Sequence, residues 1–230
     1  MIGSAARFPD VTRRDAGTIL VSPWIVGTPE RQHAAIEATL AEWSHRTDTA
    51  GFLSLSGFAS ADGSSVLNYA QWTSDAAHLA FMQSARPALV REIDTVVPGI
   101  ERPGVVRYRL HRSVVPDTCR RRVPGIMVAV TFDVEGPDVQ RALIDVLVTR
   151  GPALTDPHPG LIAAHFHVSV DGNRVLNYSE WTSAAAHADF LASSTSARTR
   201  PLIEAMRGVT SFGFVRYHLH GSIAAPAAPA

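Results

Sequence analysis

The sequence predicts an α+β fold of two tandem ferredoxin-like units, each β-α-β-β-α-β, at 17–113 and 124–222, joined as an intramolecular pseudo-dimeric α+β barrel. Three observations carry this. The stretch VLNYAQWTSDAAHLAFM from Val66 is written again as VLNYSEWTSAAAHADFL from Val175, with 11 of 17 positions identical at an offset of 109 residues, the mark of an internal duplication. Within each copy, short β-branched and aromatic runs alternate with stretches of helical period. A four-stranded sheet with helices on one face leaves its other face bare, and two such units on one chain can bury each other's.

Each copy opens with an apolar strand run ending in glycine, TILVSPWIVG at 18–27 and GIMVAVTFDVEG at 125–136. The offset of 109 pairs Gly27 with Gly136. A helix follows, with Pro29 or Pro137 at its first position, where the missing N–H does no harm. Its apolar residues, Ile36, Leu40 and Trp43 or Val139, Leu143 and Val146, are expected to form the buried face. Two strands come next, joined at Asp62-Gly63 or Asp171-Gly172, a strong hairpin signal. Ser74 and Ser183 then cap a second helical region. The matching runs GVVRYRLHRS (104–113) and GFVRYHLHGS (213–222) close the units as fourth strands. A polar linker is expected at 114–123, and the tail GSIAAPAAPA (221–230) reads as low-complexity and disordered.

Composition excludes several classes of function. Basic and acidic residues balance at 21 each and no Lys occurs, so the basic stripe of a nucleic-acid binder is missing. Cys119 is the single cysteine, which rules out an intramolecular disulfide and a cysteine-based zinc site. No secretory h-region and no membrane-length apolar run is present, so a cytoplasmic protein with no membrane partner is expected. Neither a dinucleotide fingerprint nor a P-loop nor an H-E-x-x-H motif occurs.

Strand alternation places Asn68 with Trp72, and Asn177 with Trp181, on one sheet face. An amide beside an indole makes an apolar wall with one fixed hydrogen-bonding group, suited to a flat aromatic ligand. Packing alone would also account for both tryptophans. His78 and His187 lie about one turn into the Ser-capped helices, where the helix dipole favours neutral imidazole, and are candidates for taking a proton. The second copy adds His165 and His167 on its second strand and His218 and His220 on its fourth. These, with Tyr178, are the expected substrate-binding side chains. A metal is not expected there, because no carboxylate joins the histidines and the second and fourth strands lie at opposite edges of such a unit.

A β-α-β-β-α-β unit whose third strand reads NYAQWTS or NYSEWTS resembles the antibiotic biosynthesis monooxygenase family over both halves of the chain. The resemblance implies dimeric α+β barrels, some of which oxidise polyketide anthrones or phenols to quinones with O2 as co-substrate and no metal or flavin. It carries catalytic roles onto Asn68, Trp72, Asn177 and Trp181, and onto the equivalently spaced arginines Arg91 and Arg200. It implies a small aromatic substrate and leaves room for a homodimer of pseudo-dimers. An aromatic polyketide cyclase, a non-catalytic aromatic-binding protein and a haem-degrading enzyme are the competing readings, because one fold hosts many activities. The added histidines point to the C-terminal copy as the working pocket.

Overall fold

The computed structural model describes residues 7–116, 122–149 and 157–226. Cys119 lies outside them. The chain divides into two compact units, an N-terminal unit of Met1–Arg107 with His218–Ala230 and a C-terminal unit of Tyr108–Tyr217. These bounds differ from those of the sequence repeats at both ends, for a reason visible in the hydrogen bonding of the fourth strands.

In the N-terminal unit, β1 (Thr18–Ile25), α1 (Pro29–Ser44), β2 (Phe52–Ser60), β3 (Ser65–Trp72), α2 (Asp75–Ser84) and α3 (Arg86–Val96) follow in order. β3 runs antiparallel between β1 and β2. In the C-terminal unit come β5 (Ile126–Val134), α4 (Pro137–Thr149), β6 (Leu161–Ser169), β7 (Arg174–Trp181), α5 (Ala184–Ala192) and α6 (Ser194–Glu204). The fourth strands of the repeats, β4 (Val106–Val114) and β8 (Val209–Ala224), are shared out between the units. Tyr108–Val114 of β4 pairs with β6, placing it in the C-terminal unit, whose strand order is β8-β5-β7-β6-β4. The far end of β8, from His218, lies beside β2 in the N-terminal unit. Sheet pairing therefore overrides chain order. The strand also extends through Ala224, so 221–224 is ordered sheet rather than the disordered tail expected, and 227–230 lies outside the described residues.

Local chemistry explains the elements. Thr28 caps α1 by accepting from Arg31 N, with Pro29 in the first turn. Ser74 and Ser183 accept from Ala77 N and Ala186 N, as their positions predict. Both hairpins turn on Gly63 and Gly172, at φ 78° and 82°, where a side chain would be strained. Asp62 and Asp171 brace those turns by accepting from Ser60 and Ser169 hydroxyls at 2.6 Å. Gln32 and Gln140 reach from their helices to the matching hairpin carbonyls, Ser60 with Ser65 and Ser169 with Arg174.

That last pair corrects the repeat register. The glutamines are 108 apart while their hairpin partners are 109 apart. Thr28 O accepts from Gln32 N as Gly136 O accepts from Gln140 N, so Gly136 matches Thr28, not Gly27. The C-terminal copy is therefore one residue longer than the N-terminal copy between its first helix and its second strand. The shift moves the buried face of α4 to Gln140, Leu143, Ile144 and Val148 in place of the expected Val139 and Val146, which are half-buried. In α1 the buried face is Gln32, Ala35, Ile36, Thr39 and Trp43, with Leu40 at its margin.

Each unit has its own core between helices and one sheet face. Leu20, Trp24, Ile36, Leu55, Val66, Trp72, Phe81 and Ile93 form the first, and Val128, Phe132, Leu143, Ile144, Phe166, Val175, Trp181 and Ile203 the second. The N-terminal unit gains cover from residues before β1. Phe8 meets Phe58 edge-on at 5.9 Å, and Asp10 O accepts from Gln71 Nε2 at 2.8 Å. No helix among the described residues is long and apolar enough to cross a membrane.

Candidate active site

The C-terminal unit holds a cavity of about 160 Å³ between its sheet and its helices. Asn177, Ser179 and Trp181 of β7 line it along one strand face, with Phe190 and His187 from α5 and Arg200 from α6. Arg200, Phe212 and Phe214 also line a neighbouring groove along 209–214, which marks the mouth. The walls are aromatic. Trp181 packs edge-on to His187 at 5.0 Å and tilted against Phe190 at 5.3 Å.

Polar groups enter from β7 as Asn177 and Ser179, and from α6 as Ser196, Thr199 and Arg200. Trp181 Nε1 donates to Ser179 Oγ at 3.0 Å, and that hydroxyl donates to Val128 O at 3.1 Å, so the indole serves as a wall with its own N–H already satisfied. Asn177 Oδ1 is buried without a hydrogen-bond partner. An orphaned buried acceptor invites a donor from a ligand, since leaving it bare costs about 1–3 kcal/mol.

His187 is 3% exposed, and Arg216 Nε donates to its Nδ1 at 3.0 Å. Burial first, and the Arg216 charge second, push its pKa down to about 4. The expectation of a neutral imidazole holds, but its cause is desolvation and an arginine. The pairing also changes its role. With Nδ1 accepting from Arg216, the neutral ring carries its proton on Nε2 and acts as a hydrogen-bond donor, not as a ready base. The signal for Arg216 was in the sequence, since Arg107 and Arg216 occupy the same place in both copies of the fourth strand.

The N-terminal unit repeats this plan around a smaller cavity of about 90 Å³, lined by Asn68, Trp72 and His78. Both amide atoms of Asn68 are buried and unpartnered. Arg107 Nη2 lies 3.2 Å from His78 Nδ1, and burial with the Arg107 charge lowers the His78 pKa to about 4. Arg91 does not line this cavity but is exposed on α3, and Arg86 lines it instead. The offset of 109 counted residues correctly while the two helices start differently, α3 after Ala85 and α6 after Ser193.

His165, His167, His218 and His220 do not join the C-terminal cavity. Ala164 and Phe166 line it, so strand alternation turns His165 and His167 to the opposite face of β6. There both are buried, His165 Nδ1 lying 2.8 Å from Ser113 Oγ and His167 Nδ1 3.1 Å from His165 O. Burial pushes His167 down to about 3. Tyr178 is fully buried on that same face, 6.0 Å from His165 ring to ring. His218 is exposed, and His220 sits beside Glu37, at 3.7 Å, and His33 in the N-terminal unit. Among the described residues, no three His, Cys, Asp or Glu side chains gather as a metal site. His158 does line the cavity, and no repeat signal could have found it, because Thr49 stands at the matching turn.

Residues 125–202 match the model of the antibiotic biosynthesis monooxygenase family. A tetracenomycin-F1 monooxygenase of Streptomyces glaucescens is 36% identical over 87 residues, 38% of this chain and 75% of that protein. This chain belongs to the antibiotic biosynthesis monooxygenase family. Among solved structures, an anthrone oxidase-like protein superposes with a TM-score of 0.68 at 18% identity, covering 92% of this chain and 94% of that one. A major regulator of staphylococcal pathogenesis superposes at 0.51 and 11% identity, over 87% of this chain and 98% of its own. At those identities the likeness establishes the fold alone.

Proposed function

We propose that this protein is a monooxygenase of polyketide antibiotic biosynthesis, oxidising a phenolic polycyclic aromatic of the anthrone class to a quinone in the C-terminal cavity. The observation that carries the reading is the buried, partnerless Asn177 Oδ1 set in an aromatic cavity of about 160 Å³. A phenolic O–H is the donor such an acceptor lacks. Family membership and the tetracenomycin-F1 monooxygenase relative support the same class of chemistry.

The balanced reaction converts the ring-bridging CH2 and O2 to C=O and H2O. Loss of a proton from that carbon gives an enolate; the enolate passes an electron to O2, C–O bond formation gives a peroxide anion, and a proton taken back from solvent makes it the hydroperoxide. Loss of water leaves the ketone. In this reading Trp181 and Phe190 hold the flat ring system, Asn177 orients it through a phenol, and His187 donates Nε2–H to oxygen where negative charge develops. The proton leaves to solvent at the mouth, since His187 is committed to Arg216. Independence from metal and flavin is part of the proposal.

The test is O2 uptake with quinone formation from a 1,8-dihydroxyanthrone, using protein stripped of metal by chelation. Stoichiometric O2 consumption above the spontaneous rate is expected. Tight binding of the hydroxylated quinone without turnover would assign a ligand-binding role instead, and dependence on an added metal would refute cofactor independence. We also keep the single-chain pseudo-dimeric barrel as a proposal. A monomeric mass with one cooperative unfolding transition would support it, and two independent transitions would refute it.

A further inference from the structure

We propose that His158 is a substrate-binding residue of the C-terminal cavity, donating its Nε2–H to an oxygen of the bound aromatic; this rests on the function proposed above. His158 sits on the turn before β6. Its carbonyl accepts from Leu161 N at 2.9 Å, and its Nδ1 accepts from Gly160 N at 3.0 Å. A backbone N–H can only donate, so Nδ1 holds the lone pair and the neutral ring carries its proton on Nε2. No protein partner for that Nε2 occurs among the described residues. The ring lines the cavity, 5.8 Å from Trp181 and edge-on to Phe190 at 6.3 Å.

The turn holds this ring firmly. Gly160 O accepts from Thr182 N at 2.9 Å, which ties the turn to the end of β7. A Cβ on Gly160 would meet Ala186 Cβ at 2.4 Å, so glycine lets the turn close against α5 and brings His158 over the indole. Two imidazoles thus present the same tautomer to one cavity, His187 fixed by an arginine and His158 by a backbone amide. With the Asn177 acceptor they make two donors and one acceptor around the indole, opposite Ser196, Thr199 and Arg200 of α6. That matches an aromatic bearing a carbonyl or phenolate oxygen near a phenolic O–H.

The N-terminal unit provides the contrast. There Phe52 N donates to Thr49 O and Thr73 N to Gly51 O, the same turn, yet Thr49 does not line its cavity. The turn therefore persists without histidine, and the imidazole is an addition to it.

Two substitutions separate binding from turn support. In His158→Asn the shorter side chain still accepts from the amide two residues on, as an Asx turn does, but offers no donor at the Nε2 position. In His158→Gln the terminal amide can place an N–H near the Nε2 position while the cap on Gly160 is lost. The probe is a hydroxylated anthraquinone, whose visible band moves to longer wavelength as its phenol ionises. Wild-type protein should bind it and favour the ionised band. His158→Asn should weaken binding about tenfold and lose that band shift, and His158→Gln should recover binding to within about threefold of wild type. The reverse order, with Asn behaving as wild type and Gln impaired, would make His158 a turn residue and overturn the inference, as would two unchanged variants. Should His158→Asn fail to fold, His158→Thr, the residue of the N-terminal turn, replaces it with the same expected loss. A wild-type protein that binds no anthraquinone would overturn the proposed function itself, which the variants alone do not.

Discussion

The two cavities share a plan and differ in what fills them. Asn68, Trp72 and His78 repeat as Asn177, Trp181 and His187, each histidine paired to an arginine of the fourth strand, yet the N-terminal cavity is about 90 Å³ against about 160 Å³. Trp43 of α1 accounts for much of this. It stacks on Phe52 at 4.3 Å and meets Trp72 edge-on at 5.9 Å, while α4 carries no aromatic residue. Leu55 is replaced at the matching strand position by Ala164, which opens the C-terminal cavity further. The polar residues diverge as well, with Ser196, Thr199 and Arg200 of α6 where α3 offers Arg86, Leu89 and Val90. Duplication has kept the Asn, Trp and His residues in both copies and changed the packing around one set of them.

The largest effect should come from the polar pair itself. Asn177→Ala is expected to lower anthrone turnover by about 10²-fold, as misplacing a bound substrate can do. Asn68→Ala should leave kcat within about threefold, because the filled cavity has little room for a tricycle. Steady-state O2 uptake reads both, and an N-terminal effect larger than the C-terminal one would reverse the assignment of the working pocket.

Trp43→Ala should next test whether packing is the difference. Removing this side chain, 6% exposed, is expected to reduce stability by about 3–5 kcal/mol in urea denaturation. If the variant stays folded, it should bind a second equivalent of hydroxyanthraquinone by titration. A stable variant with one equivalent would show that polar residues, not volume, separate the two sites.

Acid should affect both units. His78, His167 and His187 all have pKa values held below the ordinary 6.5 by burial, at about 4, 3 and 4. The unfolded chain therefore takes up protons first as pH falls. Their contribution is fully present above about pH 6.5 and is lost as pH drops towards 4. Thermal unfolding should show a Tm at pH 4.5 lower than at pH 7 by roughly 5 °C or more. An unchanged Tm would mean these rings are not held neutral.

The smallest expected effect is at the mouth. Arg200 is largely exposed, with its guanidinium 5.6 Å over Phe212 and 3.8 Å from Glu204. Arg200→Gln should raise KM about threefold with kcat unchanged, since an exposed cation contributes little. A large fall in kcat would move Arg200 from the rim into the chemistry.

By itself the sequence determined the repeated unit, its turns and caps, and the pairing of Asn with Trp and His in each copy. These are local properties: strand alternation, Ser caps and Asp-Gly turns act over a few residues and survive in any surroundings. Tertiary structure decided the rest. It assigned β4 to the C-terminal unit, because strand edges pair by hydrogen bonding regardless of chain order. Neighbours also decided which way function could point. His165, His167 and Tyr178 share a sheet face that alternation alone could not match to a cavity, whereas His158 reaches the cavity from a turn. Arg216 then turned His187 from a candidate base into a donor, because a histidine's tautomer is set by the partner of its other nitrogen, and that partner stands 29 residues away in the chain.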